Sequence, residues 1–257
     1  GPASYVVNAA DLQPVTAGNK MDKFADDTYI VIPAANVDSR QTEISHAEAW
    51  AAVNDLKVNQ AKYAEIVFVD RRRRSRVQPP PPLPGITRVT TVKILGVTVT
   101  NSLSVAEHVR AVLCSSAQTM YALGVLRGHG MDYAALQTVF RAVVIAKLQY
   151  ASSAWWGFAA EPDRQRIAAF IRRSARCGFV PVEFQTFDDL CRAADENLFE
   201  NIKANPHHVL HHLLPPESEA SQHYNMRPRR HNFQLPAHTT QLMDCNFIIR
   251  QLYTDSY

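Results

Sequence analysis

The spacing of apolar and polar positions changes along the chain, and the changes mark its organisation. Residues 21–33 read as a β-hairpin. Residues 21–25 lead into Asp26-Asp27, and Thr28-Tyr29-Ile30-Val31-Ile32, rich in β-branched and aromatic side chains, leads out to Pro33. From Arg40 to about Leu56 the period becomes helical. Ile44, Ala47, Trp50 and Ala51 share a broad face, Ser39 stands as the N-cap, and Asn59 marks the exit. Residues 63–69 read as a strand. Residues 71–82, an arginine run followed by four prolines, form a loop that joins neither sheet nor helix. Residues 90–100 read as another strand, in which Gly96 predicts a bulge or a close backbone approach.

Beyond residue 100 the pattern is helical. Ser104 and Glu107 have capping-box spacing ahead of an apolar stripe through Val105, Val109, Val112, Leu113, Met120 and Leu123. Asp132 starts a further helix, Pro162 sits at a first helical position, and Gly178 stands as a C-cap. Phe187, Leu190, Cys191, Ala194, Leu198 and Ile202 recur at helical spacing until the chain reaches Pro206. A Pro-, His- and Arg-rich tail follows and reads as irregular. Strands first and helices later predict an α+β class.

Composition adds bounds. The 257 residues are 46% hydrophobic and 20% charged, which excludes full disorder. Cys114, Cys177, Cys191 and Cys245 lie far apart with no CxxC pair, as expected for reduced thiols in an intracellular protein. The longest apolar stretch, residues 142–160, is broken by Lys147 and Gln149, so no membrane span is predicted.

The net charge of +3 hides an asymmetry. Residues 1–60 hold eight acids and four bases, a balance of −4, which leaves +7 on the remaining 197 residues. The bases cluster at Arg71, Arg72, Arg73, Arg74 and Arg76, at Arg172, Arg173 and Arg176, and at Arg227, Arg229 and Arg230. An acidic head and a basic body fit a protein that holds cations at one end and a polyanion along the other. Two solvated faces produce the same pattern. The arginine run reads either as a phosphate contact or as a solvated loop. Tyr224 and Phe233 among the last basic cluster read either as an RNA contact or as part of a docking tail. His207, His208, His211 and His212 lack the Cys or neighbouring acids that a zinc site needs. Trp155 and Trp156, on an apolar helix, read as core.

The sharpest chemical signal is Phe24-Ala25-Asp26-Asp27. Adjacent carboxylates at a hairpin tip repel each other, and a hard divalent cation such as Mg²⁺ relieves that repulsion. This run resembles the aromatic-Ala-Asp-Asp hairpin of reverse transcriptases. Asn54-Asp55-Leu56-Lys57-Val58-Asn59-Gln60-Ala61-Lys62-Tyr63-Ala64-Glu65-Ile66-Val67-Phe68 resembles the block that follows it in LINE-type (non-LTR retrotransposon) enzymes. Val92-Lys93-Ile94-Leu95-Gly96-Val97 resembles their primer grip, at the palm–thumb junction. Residues 149–157 and 207–231 are similar to thumb and C-terminal segments of the jockey-like group.

The resemblance implies a partial reverse-transcriptase palm over residues 1–70 and a basic, Pro-rich loop with a junction strand over 71–100. A helical thumb over 101–204 and a tail over 205–257 follow. It implies RNA-directed DNA synthesis with an RNA template, a DNA primer and a dNTP, assisted by two Mg²⁺ (or Mn²⁺) ions. Carried over by position, Asp26 is the direct metal ligand and Asp27 its neighbour in the metal site. Lys62 lies near the triphosphate as general acid or counter-charge, and Gly96 lets the primer end approach. Arg172, Arg173 and Arg176 sit on a thumb helix, where they face nucleic acid or solvent. No membrane partner is expected, and the family implies a nuclear and cytoplasmic ribonucleoprotein location. The family's further palm Asp and its fingers lie upstream of residue 1, and Asp11 belongs to a different block. The chain alone is therefore expected to be catalytically incomplete. The alternatives are a non-catalytic nucleic-acid-binding remnant and a non-functional transposon relic.

Overall fold

A computed structural model of the chain describes residues 9–69, 78–181, 183–218, 230–237 and 240–254. The start at residues 1–5, the arginine run at 71–76, and Tyr224, Arg227 and Arg229 lie outside these. The fold is mixed α+β, with helices and small two-stranded sheets. It divides into two compact units, Gly1–Thr90 and Thr91–Tyr257.

In the first unit, β1 (Lys20–Phe24) and β2 (Asp27–Val31) form the expected antiparallel hairpin, in register from Lys20 opposite Val31 to Phe24 opposite Asp27. A 3₁₀ turn, Ala34–Ser39, runs into α1 (Arg40–Val53). Ser39 stands at the N-cap position, as expected, but its side chain makes no capping bond. Its backbone is already helical (φ −77°, ψ −5°), and its hydroxyl donates to Asn36 O at 2.7 Å. The helix also ends earlier than its pattern suggests. Asp55 takes φ +55°, and Leu56 N–H donates to Ala51 O at 2.8 Å, closing the C-terminus with a left-handed residue.

The strand expected over residues 63–69 shrinks to β3 (Ala64–Ile66). It pairs parallel with β4 (Thr87–Val89). Side chains hold this short pair. Glu65 accepts from Arg40 Nη1 at 2.6 Å and from Arg88 Nη2 at 2.7 Å. The same guanidiniums donate to the carbonyls of Pro80 and Pro81. Proline offers a carbonyl and no N–H, so the Pro-rich segment is tied down as an acceptor only. Among the described residues of this unit the only buried apolar side chains are Ala9, Leu12 and Ala51.

The second unit begins with a hairpin where a single strand was expected over residues 90–100. β5 (Thr91–Ile94) and β6 (Val97–Thr100) pair antiparallel. Leu95 (φ +44°) and Gly96 (φ +89°) make the two-residue turn, with positive φ at both positions. α2 (Ala106–Gly128) follows. The capping box does not form, because Ser104 Oγ accepts from Ala106 N–H, only two residues on, at 3.3 Å.

α3 (Tyr133–Phe140) is capped as expected by Asp132, which accepts from Ala135 N–H at 2.9 Å. It continues through a π-helical turn, Arg141–Ile145, into α4 (Ala146–Gln149). After α5 (Ser152–Trp155) comes α6 (Glu161–Arg176), with Pro162 in its first turn. Gly178 ends α6 as expected, at φ +78°. Gly178 N–H donates to Ala175 O and Phe179 N–H to Ser174 O, a Schellman closure. α7 (Phe187–Ala204) is capped by Thr186.

The main core unites Val109, Leu136, Phe140, Trp155, Ile167 and Phe170 with their neighbours. Trp155 and Trp156 are both core residues, 2% and 5% exposed. The four cysteines are free thiols. Burial pushes Cys191 up to about 12, so it stays protonated.

The tail is more ordered than its composition suggests. α8 (Gln241–Cys245) and α9 (Phe247–Tyr253) are capped by Thr240 and Asn246. Ile248 and Leu252 join Phe199 and Ile202 in a second apolar cluster. Arg250 reaches Asp195, which is 2% exposed, at 2.9 Å, and also donates to Ser153 O.

His108 is buried in the first turns of α2, accepts from Thr98 N–H through Nδ1 at 3.4 Å, and meets Trp155 edge-on at 5.2 Å. Burial, and then the nearby Lys93 charge, hold its pKa below the ordinary imidazole value. The unfolded chain therefore takes up the proton first as pH falls. Stability is expected to drop as pH falls from about 6.5 through the lowered value. Thermal melts of the wild type and His108→Gln across pH 7.5 to 5 check this. The variant should be less stable at neutral pH and show a shallower decline.

Candidate functional site

The candidate residues fall in both units. Asp26, Asp27 and Lys62 belong to the first, and Gly96, Arg172, Arg173 and Arg176 to the second.

The Asp pair occupies the tip of the first hairpin. Ala25 and Asp26 form the two-residue turn, and Asp27 opens β2. Ala25 holds φ +51°, a left-handed conformation that costs a non-glycine residue about 1–2 kcal/mol. Both carboxylates are exposed, and among the described residues neither has a hydrogen-bond or ion-pair partner. Phe24, beside the pair, is 61% exposed.

The base of this hairpin is fixed by buried polar contacts. Glu43, fully buried on α1, accepts from Thr16 N–H at 2.8 Å, Val15 N–H at 3.1 Å and Asn19 Nδ2 at 2.8 Å. Asn19 directly precedes β1, so Glu43 sets where the first strand begins. Asn36 Nδ2 donates to Asn19 Oδ1 at 2.9 Å and closes the network. Lys23 turns away from the tip and donates to the carbonyls of Ala9 and Leu12. Asp11, set aside as a metal ligand, accepts from Trp50 Nε1 at 3.0 Å instead.

Burial pushes the Glu43 carboxyl up, but the bonds from Thr16, Asn19 and Val15 outweigh it and hold the pKa below the ordinary value. Neither Glu43 nor Lys23 was singled out by pattern. A lone Glu on a helix face reads as solvated, and its partners lie 24–28 residues away.

Lys62 lies exposed at the end of a short 3₁₀ turn, Gln60–Lys62, and no ion pair joins it to Asp26 or Asp27. Gly96 sits in the hairpin turn and not inside a strand, and the group that approaches it within the unit is the Tyr150 side chain. A Cβ at position 96 would stand 3.0 Å from the Tyr150 ring, whose hydroxyl donates to Leu95 O at 3.0 Å. Arg172, Arg173 and Arg176 are exposed on the last turns of α6 without acidic partners among the described residues. Arg173 also lies over the Phe170 ring, 5.6 Å from its centroid.

Among the described residues no three His, Cys, Asp or Glu side chains gather, and His207, His208, His211 and His212 form no such group. The Asp pair fits a hard cation in donor chemistry. It supplies exposed, unpaired carboxylate oxygens, to which water and phosphate oxygens would add. Comparisons with protein-family models, curated proteins and solved structures find no match to this chain.

The Glu43 network yields a prediction. Glu43→Ala leaves the Val15 and Thr16 N–H groups unpaired and should destabilise the first unit by about 1–3 kcal/mol. Hydrogen exchange at Val15, Thr16 and Asn19 should accelerate, with the second unit unaffected. In the wild type the Glu43 contribution is present above the ordinary carboxylate pKa and is lost as pH falls through the lowered one.

Proposed function

We propose that this chain belongs to the palm-to-thumb region of a LINE-type reverse transcriptase and serves RNA-directed DNA synthesis. One observation carries the reading. Phe24-Ala25-Asp26-Asp27 lies at the tip of a tight antiparallel hairpin with both carboxylates exposed and unpaired. The ordered occurrence of the block around Lys62 and of the Leu95-Gly96 turn supports it.

In this reading Asp26 and Asp27 would hold Mg²⁺ or Mn²⁺, which would supply positive charge against that developing on a transferred phosphate. The hairpin base anchored by Glu43 keeps the pair positioned. Lys62 supplies positive charge, or a proton, toward the pyrophosphate leaving group. Gly96 and the outward-facing Arg172 and Arg176 contact the primer–template backbone, so binding weakens steeply with salt.

A second reading is favoured by one specific observation: α6 carries unpaired arginines, while no third acid joins the Asp pair among the described residues. On that reading the chain is a nucleic-acid-binding remnant without catalysis.

Calorimetry with Mn²⁺ separates the two. The polymerase reading expects metal binding that Asp26→Ala abolishes. It also expects RNA–DNA hybrid binding that is weakened about tenfold or more by Arg172→Glu with Arg176→Glu. Hybrid binding with no Asp26-dependent metal uptake supports the remnant. Absence of both sinks both readings.

A further inference from the structure

α2 is an unusual helix for the edge of a core. Its most apolar eighteen residues have a mean hydropathy of 1.2, yet only 17% of that stretch is buried. By length and composition the helix is able to cross a membrane. One flank is committed elsewhere, because Val109, Ser116 and Leu123 are buried in the core beside α6 and β6. The opposite flank is uncovered: Tyr121 is 78% exposed and Val125 44%.

Between this flank and the end of α6 runs a groove of about 340 Å³. Met120, Tyr121, Gly124 and Phe179 make an apolar floor, and Arg127 and Arg173 stand on its rims. A Cβ at Gly124 would meet nothing within 4 Å, so the floor is open there. Arg127 is held in place, donating to Cys177 O at 2.7 Å with its guanidinium 5.4 Å from the Phe179 ring centroid. Arg176 stands one turn beyond Arg173. Among the described residues none of these three arginines has an acidic partner, and no acid lines the groove.

We propose that this groove docks an acidic amphipathic α-helix of a protein partner, a role that goes beyond the polymerase reading and does not rest on it. The floor offers carbon surface and almost no hydrogen-bonding groups, which suits aliphatic anchors at i, i+3 or i+4, and i+7. The unpaired rim charges select acidic residues flanking the anchors. A nucleic-acid strand would gain phosphate contacts at the rim but would leave the apolar floor uncovered.

The test is fluorescence anisotropy with a labelled peptide about five helical turns long, Leu on one face and Glu on the other. Saturable binding is expected, and replacing the peptide's Glu by Lys, or scrambling its order, should weaken it by about tenfold or more. Gly124→Leu fills the groove in open space and favours the helix, so the fold should hold while affinity falls about tenfold. Arg173→Glu should weaken binding comparably and independently of any packing change. Three outcomes overturn the proposal. One is no binding above the scrambled control. Another is displacement by an RNA or DNA oligonucleotide that binds more tightly and is equally sensitive to Gly124→Leu. The last is Gly124-dependent binding to anionic vesicles in place of the peptide.

Discussion

The first unit depends on one buried carboxylate. Without an apolar core of its own among the described residues, it is organised around Glu43, whose oxygens collect two backbone N–H groups and one side-chain amide. A buried charge is tolerable only where hydrogen bonds replace its water, and here they do so from a single short segment. That segment leads straight into β1. The position of the Asp26-Asp27 tip thus descends from a polar network, which is directional, where packing alone would leave a two-stranded ribbon free to slide.

The second unit obeys a different rule. Its helices are held by apolar burial around Trp155, Phe140 and Phe170, and polar contacts act as local stops. Asp132 and Thr186 begin helices, and Gly178 ends one. The two units therefore answer differently to acid. In the first the sensitive group is a carboxylate that must stay charged, and in the second an imidazole, His108, that must stay neutral.

Legibility in the sequence followed the range of each interaction. The hairpin around Asp26, the cap at Asp132 and the stop at Gly178 are local, and composition and spacing reveal them. Ser104 misled because its hydroxyl serves a turn two residues away in place of a box three residues away. The hairpin at 91–100 reads as one strand because both arms alternate alike, and only the left-handed Leu95 beside Gly96 reverses the chain. Glu43, the Glu65 pair of arginines and Tyr150 beside Gly96 depend on partners tens of residues distant, which no periodicity encodes. The candidate metal ligands were legible as chemistry, while the network that positions them was not.

The ion pair between Asp195 and Arg250 sets an order in time. Asp195 lies at the centre of α7, and its counter-charge arrives 55 residues later on α9, passing close to Gly157, where a Cβ would collide with the Cys245 carbonyl. During synthesis α7 emerges first, with its carboxylate still hydrated. The helices before it can assemble around Trp155, but Asp195 cannot be sealed from water until residue 250 has been made and α9 swings in. The last helix thus acts as a latch, closing over a carboxylate that the earlier helices leave open to water.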